Sequence, residues 1–173
     1  GDMFCLYKPH DGDIVGFNGS GRAPAAATAD WYAEQGITEI ERDSPHSVTI
    51  PGSIDGWSQL IEAYGTKSLG EMLQPAIRFA HNGYPMHHRS HLDWSLMQEI
   101  LCKDPTGASQ YFPEGKVPDI GSIVRLPLLA KTLEHIAENG RNGFYEGWVA
   151  EDIVSFLEGL GGLQTMEDFA NFS

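Results

Sequence analysis

"SLGEMLQPAIRFAHNG", Ser68 to Gly83, decides the architecture. Ser68 and Glu71 stand three apart, the spacing in which each side chain takes the other's backbone N–H at a helix start. Leu69, Met72, Leu73, Ala76, Ile77 and Ala80 then recur at the helical period, and Gly83 stops the run. Pro75 falls inside it, which predicts a kink. Similar stripes lie on either side. Ile54, Trp57, Ile61 and Tyr64 mark a helix before it, and Leu92, Leu96 and Ile100 one after it. Leu129, Leu133, Ile136 and Ala137 mark the next, stopped by Asn139 and Gly140. Val149, Ile153, Phe156, Leu157 and Leu160 mark another. Thr165 with Asp168 caps a short last helix. Leu73, Ile77, Leu133 and Ile136 are the expected core.

The start of the chain reads differently. "MFCLYK" and "DIVGFN" are short apolar runs joined by "PHDGD", a hairpin pattern. After a glycine-rich turn, Pro24 suits a first helical turn, so an alanine-rich helix is expected from there. "HSVTIPGS" reads as a short strand, and residues 103–124 as loop. Strands first and helices after suggest an α+β fold, in a single domain over residues 1–173.

Composition narrows the function. The chain has 173 residues and a net charge of −13, from 24 acidic and 11 basic side chains. Nucleic acid and anionic membranes are poor partners for such a surface, because both are bound by neutralising phosphates. No apolar run approaches the roughly 18 residues of a membrane span. Cys5 and Cys102 read as two buried thiols rather than a disulfide. No secretory signal opens the chain, and "GDMFCLYK" is already strand-like, so the chain is expected to begin inside a fold.

Chemistry-bearing residues are few. In "NGSGRAP", Gly19 and Gly21 permit positive φ and a close approach of backbone N–H groups to an anion. Arg22 adds a planar fork suited to a carboxylate. The pattern is not GxGxxG, so no dinucleotide site is indicated. A plain loop with a solvated Arg22 is the alternative. His87 and His91 are four apart, as metal ligands on a helix face can be, but no acid completes an HExxH pattern. Paired acids such as Asp11 with Asp13, or Glu39 with Glu41, read as solvated surface. Trp31, Trp57, Trp94 and Trp148 read as core. No GxSxG elbow appears. No cofactor is implied, and no metal.

Several phrases together resemble the γ-glutamyltranspeptidase family of N-terminal-nucleophile hydrolases. They are "GDMFCLY", "FNGSGRAPAAAT", "SVTIPGSIDGW", "YGTKSLGEMLQPAIRFAHNGYP", "LLAKTLEHIAENGRNGFYEGWVAEDIV" and "GGLQTMEDFANF", in the family's order along nearly the whole chain. The resemblance implies a proenzyme that cuts itself into two subunits within an αββα sandwich. A Thr at the new N-terminus of the small subunit is then the nucleophile, activated by its own α-amine. This chain matches part of the large subunit. Its threonines (Thr28, Thr38, Thr49, Thr66, Thr106, Thr132 and Thr165) stand in no such context, so it is expected to hold no catalytic residue and to be inactive alone. The implied partners are that small subunit and a small carboxylate-bearing amide.

In typical members, the arginine for the glutamyl α-carboxylate stands in a phrase like NFRE-AP. Aligned on AP, that position falls on Ser20, and Arg22 lies two residues later. Ser20, Gly21 and Arg22 are therefore the expected substrate-binding residues. The wording "NGSGRAP" looks like a divergent branch that includes an oxamate amidohydrolase. Typical bacterial members are exported, whereas that branch favours the cytoplasm over the periplasm. A non-catalytic helical binding module is the alternative from another class, and a metal hydrolase using His87 and His91 is a third.

Overall fold

The computed structural model describes all 173 residues. In chain order the elements are strands β1 (Met3–Tyr7) and β2 (Val15–Gly19), helices α1 (Ala29–Glu34), α2 (Ser53–Tyr64) and α3 (Leu69–Asn82), strand β3 (Tyr84–Pro85), helices α4 (His88–Leu101) and α5 (Pro105–Tyr111), strand β4 (Ile123–Val124), and helices α6 (Pro127–Asn139), α7 (Asn142–Tyr145), α8 (Trp148–Gly159) and α9 (Met166–Ala170). The class is α+β, with the strand-rich start and helical body that the sequence suggests. No helix is long and apolar enough to cross a membrane. The backbone separates into two compact units, residues 1–71 with 135–173, and residues 72–134.

In the first unit, β1 and β2 pair antiparallel with Met3 opposite Gly19 and Tyr7 opposite Val15. Alternation puts Met3, Cys5, Tyr7, Val15 and Phe17 half-buried on one face, while Phe4 and Leu6 stay exposed. Tyr64 of α2 packs its ring on Tyr7 at 4.5 Å and on Phe17 at 6.1 Å. The core of this unit is Ile50, Ile54, Ile136, Tyr145, Val149, Ala150, Leu157, Phe169 and Phe172. Thr165 and Asp168 form the expected capping box of α9. Gly140, at φ +64°, ends α6 in the left-handed conformation that glycine adopts without steric cost.

The second unit pairs β3 with β4, Tyr84 opposite Val124. Leu73, Ile77, Ala80, Met86, Phe112, Val124 and Ala130 are its buried apolar residues. Trp94 on α4 meets Tyr111 of α5 edge-on at 4.9 Å.

Ser68 and Glu71 cap α3 as expected: the Ser68 N–H and hydroxyl both donate to Glu71 Oε2, and the Glu71 N–H donates to Ser68 Oγ. These bonds hold the Glu71 carboxyl below its ordinary range. The helix continues through Pro75 to Asn82.

Several expectations need correction, the core tryptophans among them: Trp31, Trp57 and Trp94 are half-buried and Trp148 is exposed. The helix after the glycine-rich turn starts at Ala29, not at Pro24. Ala27 N–H bonds back to Pro24 O and Thr28 N–H to Ala26 O, so these residues form a turn, and the Thr28 hydroxyl caps α1 by accepting from Trp31 N–H. "HSVTIPGS" is no strand. Pro45–Ser47 is a 3-10 turn capped by Ser44, and pairing is limited to one antiparallel bridge between Ile50 and Arg22. Residues 103–124 are not all loop. Asp104 accepts from Gly107 N–H with Pro105 in the first turn, and α5 follows. Leu133 is half-buried, and Ile136 and Ala130 take the innermost places on α6. Cys5 and Cys102 are free thiols, as expected, but Cys5 is half-buried and Cys102 exposed.

Candidate functional site: a cleft beside the glycine-rich turn

The turn after β2 runs directly over the segment that leads into α2. Ile50 N–H donates to Arg22 O at 2.8 Å. A methyl group at Gly52 would lie 2.5 Å from Gly19 O and 2.7 Å from Ser20 O. One at Gly21 would run into Thr49 Oγ1 and Ile50 O. The close approach that the glycines allow is therefore an approach to their own chain. Neither Gly19 nor Gly21 has a positive φ, contrary to the expectation for this turn.

The donors of Ser20 and Gly21 are already paired. Gly21 N–H donates to Asp2 Oδ1 at 2.9 Å, and Ser20 N–H donates to Asn18 Oδ1 at 3.1 Å. The Ser20 hydroxyl donates to the same Asn18 oxygen at 2.7 Å. Beyond the turn, Ala25 N–H donates to Asp168 Oδ1 at 2.9 Å. The guanidinium of Arg22 is different. It forms no ion pair and lies over the Phe172 ring, 5.8 Å from its centroid.

Residues 17–22, the first turns of α2 and Phe172 enclose a cleft of about 210 Å³. Its lining carries two charged side chains, Arg22 and Asp55. Asp55 is buried, yet both of its oxygens are satisfied. Arg141 Nε donates to Oδ1 at 2.5 Å, and Gln59 Nε2 donates to Oδ2 at 2.5 Å. Arg141 Nη2 also donates to Phe172 O, and its guanidinium lies 4.5 Å from the centre of the Tyr145 ring. The Tyr145 hydroxyl donates to Pro51 O at 2.5 Å and accepts from Asp55 N–H at 3.2 Å. Burial pushes the Tyr145 phenol up to about 12. The Asp55 charge adds to the rise, while the Asp55 N–H and the Arg141 charge oppose it. The acid of the cleft is thus neutralised from within, and Arg22 is exposed and has no acidic partner.

Ser20, Gly21 and Arg22 all line this cleft. Asp55, Gln59, Arg141, Tyr145 and Phe172 escape sequence reading, because partners 86 residues apart leave no local period. His87 and His91 are brought to no common ligand. His87 Nδ1 accepts from Arg89 N–H at the start of α4, and His91 Nδ1 lies 3.0 Å from Pro118 O. No group of three or more His, Cys, Asp or Glu side chains converges as a metal site.

The family model described as gamma-glutamyltranspeptidase matches residues 1–173, the whole chain. The chain belongs to the gamma-glutamyltranspeptidase family. Among its relatives is the glutathione hydrolase-like YwrD proenzyme of Bacillus subtilis (strain 168), 34% identical over 170 residues, a match covering 98% of this chain and 32% of that protein. The crystal structure of Helicobacter pylori gamma-glutamyltranspeptidase matches with a TM-score of 0.92 at 29% identity, over 100% of this chain and 51% of that one. Cephalosporin acylase from Bacillus halodurans matches with a TM-score of 0.88 at 32% identity, over 99% of this chain and 33% of that one. The chain therefore spans about a third of the curated relative's length. Its fold is that of N-terminal-nucleophile hydrolases of this family.

Proposed function

We propose that these residues are part of the large subunit of a γ-glutamyltranspeptidase-like amidohydrolase or acyltransferase. Its substrates are γ-glutamyl amides or other small amides that carry a carboxylate. One observation carries the reading: in a chain matched to this family from end to end, the cleft holds one cation without an acidic partner, Arg22. A guanidinium binds a carboxylate through two parallel N–H···O bonds, which fixes the plane of the substrate as well as its charge. The Ser20 hydroxyl lines the same cleft and serves as a second polar contact. Gly21 serves indirectly, by letting the turn lie flat on Ile50.

The nucleophile in this reading is the N-terminal Thr of a small subunit released from the same precursor. The word "proenzyme" in the name of the B. subtilis relative supports a cleaved precursor. The Thr α-amine takes the hydroxyl proton as Oγ attacks the substrate carbonyl carbon. The C–N bond then breaks, and the amine leaves with the proton. Water or a second amine accepts the acyl group from the resulting ester. What Arg22 supplies is position: the reacting carbonyl is held at a fixed distance from the carboxylate anchor. The "NGSGRAP" wording supports the branch that includes oxamate amidohydrolase, and a cytoplasmic setting.

The test uses the full-length protein. Mass spectrometry should find two polypeptides, the second beginning with Thr. The processed protein should release nitroaniline from γ-glutamyl p-nitroanilide or ammonia from oxamate, and residues 1–173 alone should release neither. An uncleaved precursor with no turnover of either substrate overturns the reading.

A further inference from the structure

Arg22 is steadied by an aromatic ring rather than by an acid, and that choice has a chemical consequence. A carboxylate beside the guanidinium would occupy the fork that the substrate needs. A ring face attracts the cation and leaves its N–H groups unspent. Phe172 is itself held firmly. It is 6% exposed, and it stacks on Tyr145 with centroids 5.4 Å apart and planes 3° from parallel. Its carbonyl accepts from Arg141, which is paired with Asp55. Tyr145 is fully buried and bonded through its hydroxyl to Pro51 O, next to the Ile50–Arg22 bridge. The network that begins at Asp55 therefore closes on Arg22 from two directions, through its backbone and through the ring beneath its side chain.

A second cleft shows what the ring prevents. Arg22 and Phe172 also line a space of about 440 Å³ whose wall includes Glu167 and Asp168. A guanidinium free to swing has the Glu167 carboxylate there as a rival partner, whereas both Asp168 oxygens already accept from Ala25 and Thr165. Without the ring, an internal ion pair competes with the substrate for the same fork.

We propose that Phe172 is a positioning residue for carboxylate recognition: its ring holds the Arg22 guanidinium in the smaller cleft, charged, unpaired and ready for the substrate. The proposal rests on the reading of Arg22 given above. Its signature is selective. Loss of the ring weakens capture of a carboxylate substrate and leaves the chemical step, and substrates without the carboxylate, unaffected.

The experiment is steady-state kinetics of the processed full-length enzyme on one carboxylate substrate and on its neutral amide analogue. Phe172→Leu should raise KM for the carboxylate substrate by roughly 2- to 5-fold, the worth of an exposed cation–π contact. kcat should be nearly unchanged, and so should both constants for the analogue. Phe172→Tyr should restore the wild-type values. A ring-trifluorinated phenylalanine at 172 keeps shape and packing while weakening the ring face, so it should raise KM in the same way even if Phe172→Leu folds poorly. In an Arg22→Ala background, neither change should have a further effect. If Arg22→Ala leaves the carboxylate preference intact, the reading of Arg22 itself fails. If Arg22→Ala abolishes the preference while the Phe172 variants retain it, only the positioning role fails. Equal losses on both substrates make Phe172 a packing residue and overturn the proposal.

Discussion

Tyr145→Phe removes one oxygen atom and tests how α2 is held. Gly52 precedes the helix and has no side chain to cap it. The orphan N–H of Asp55, in the first turn, is instead taken by the Tyr145 hydroxyl at 3.2 Å, from 90 residues away. The same hydroxyl donates to Pro51 O at 2.5 Å. Phenylalanine keeps the ring stack on Phe172 and leaves a donor and an acceptor without partners where Tyr145 is 0% exposed. A buried polar group left unpaired costs about 1–3 kcal/mol. The longer bond at a helix end sits at the low end of that range, so the sum is about 2–4 kcal/mol. Urea unfolding of the full-length protein, followed by tryptophan fluorescence, reads this loss as a lower midpoint at unchanged slope.

A pH series adds a check of sign. The folded phenol is raised to about 12 against an ordinary value of 10.0, so the unfolded chain ionises first. Its contribution is complete below pH 10 and is lost as the pH climbs toward 12. Tyr145→Phe should therefore lose less stability than the wild type over that window. A midpoint change worth under about 0.5 kcal/mol, or an unaltered alkaline profile, refutes the capping argument.

Two other outcomes are expected in the same assay. Gly21→Ala should destabilise by about 1–3 kcal/mol, the usual cost of overpacking, because the new methyl meets Thr49 and the Ile50 carbonyl. Ile136→Ala, at a side chain 2% exposed, should cost about 2–5 kcal/mol. Leu129→Ala on the same helix, where Leu129 is 46% exposed, should cost under about 1 kcal/mol.

The contrast between Ile136 and Leu129 shows what periodicity conveys. A stripe of apolar residues fixes helix type and phase, so α2, α3, α4, α6 and α8 all lie where their stripes place them. It does not fix depth. Leu92, Leu96 and Ile100 of α4 form a regular stripe and are 53%, 67% and 45% exposed. Local chemistry was legible where both partners lie within one turn, as for Ser68 with Glu71 and Thr165 with Asp168. It was misread where composition outweighed spacing. Asp104 followed by Pro105 is a helix start of the ordinary kind, obscured by the prolines and glycines around it. "HSVTIPGS" has strand-like residues, but a strand needs a partner over several residues, and Arg22 offers only one.

The glycine-rich turn was legible as a place where backbone N–H groups meet a carboxylate, but not as to whose carboxylate it is. Its backbone donors do find an anion, but Asp2, from the start of the same chain, supplies it at Gly21. Asp55, in the first turn of α2, is a different case: no local pattern singles it out. Here it is buried and neutralised by Arg141, a residue that sequence shows only as a cation after a helix stop. Both acids near the cleft are thus committed to the protein's own groups. In a chain with a net charge of −13, an arginine that keeps its charge uncompensated needs the surrounding carboxylates to be engaged elsewhere. Asp2 on Gly21, Asp55 on Arg141 and Asp168 on Ala25 are so engaged, which leaves Glu167 as the rival in the larger space. The selectivity expected of Arg22 therefore comes as much from where the neighbouring acids are tied as from the guanidinium itself. Freeing one of them should weaken carboxylate capture without touching Arg22.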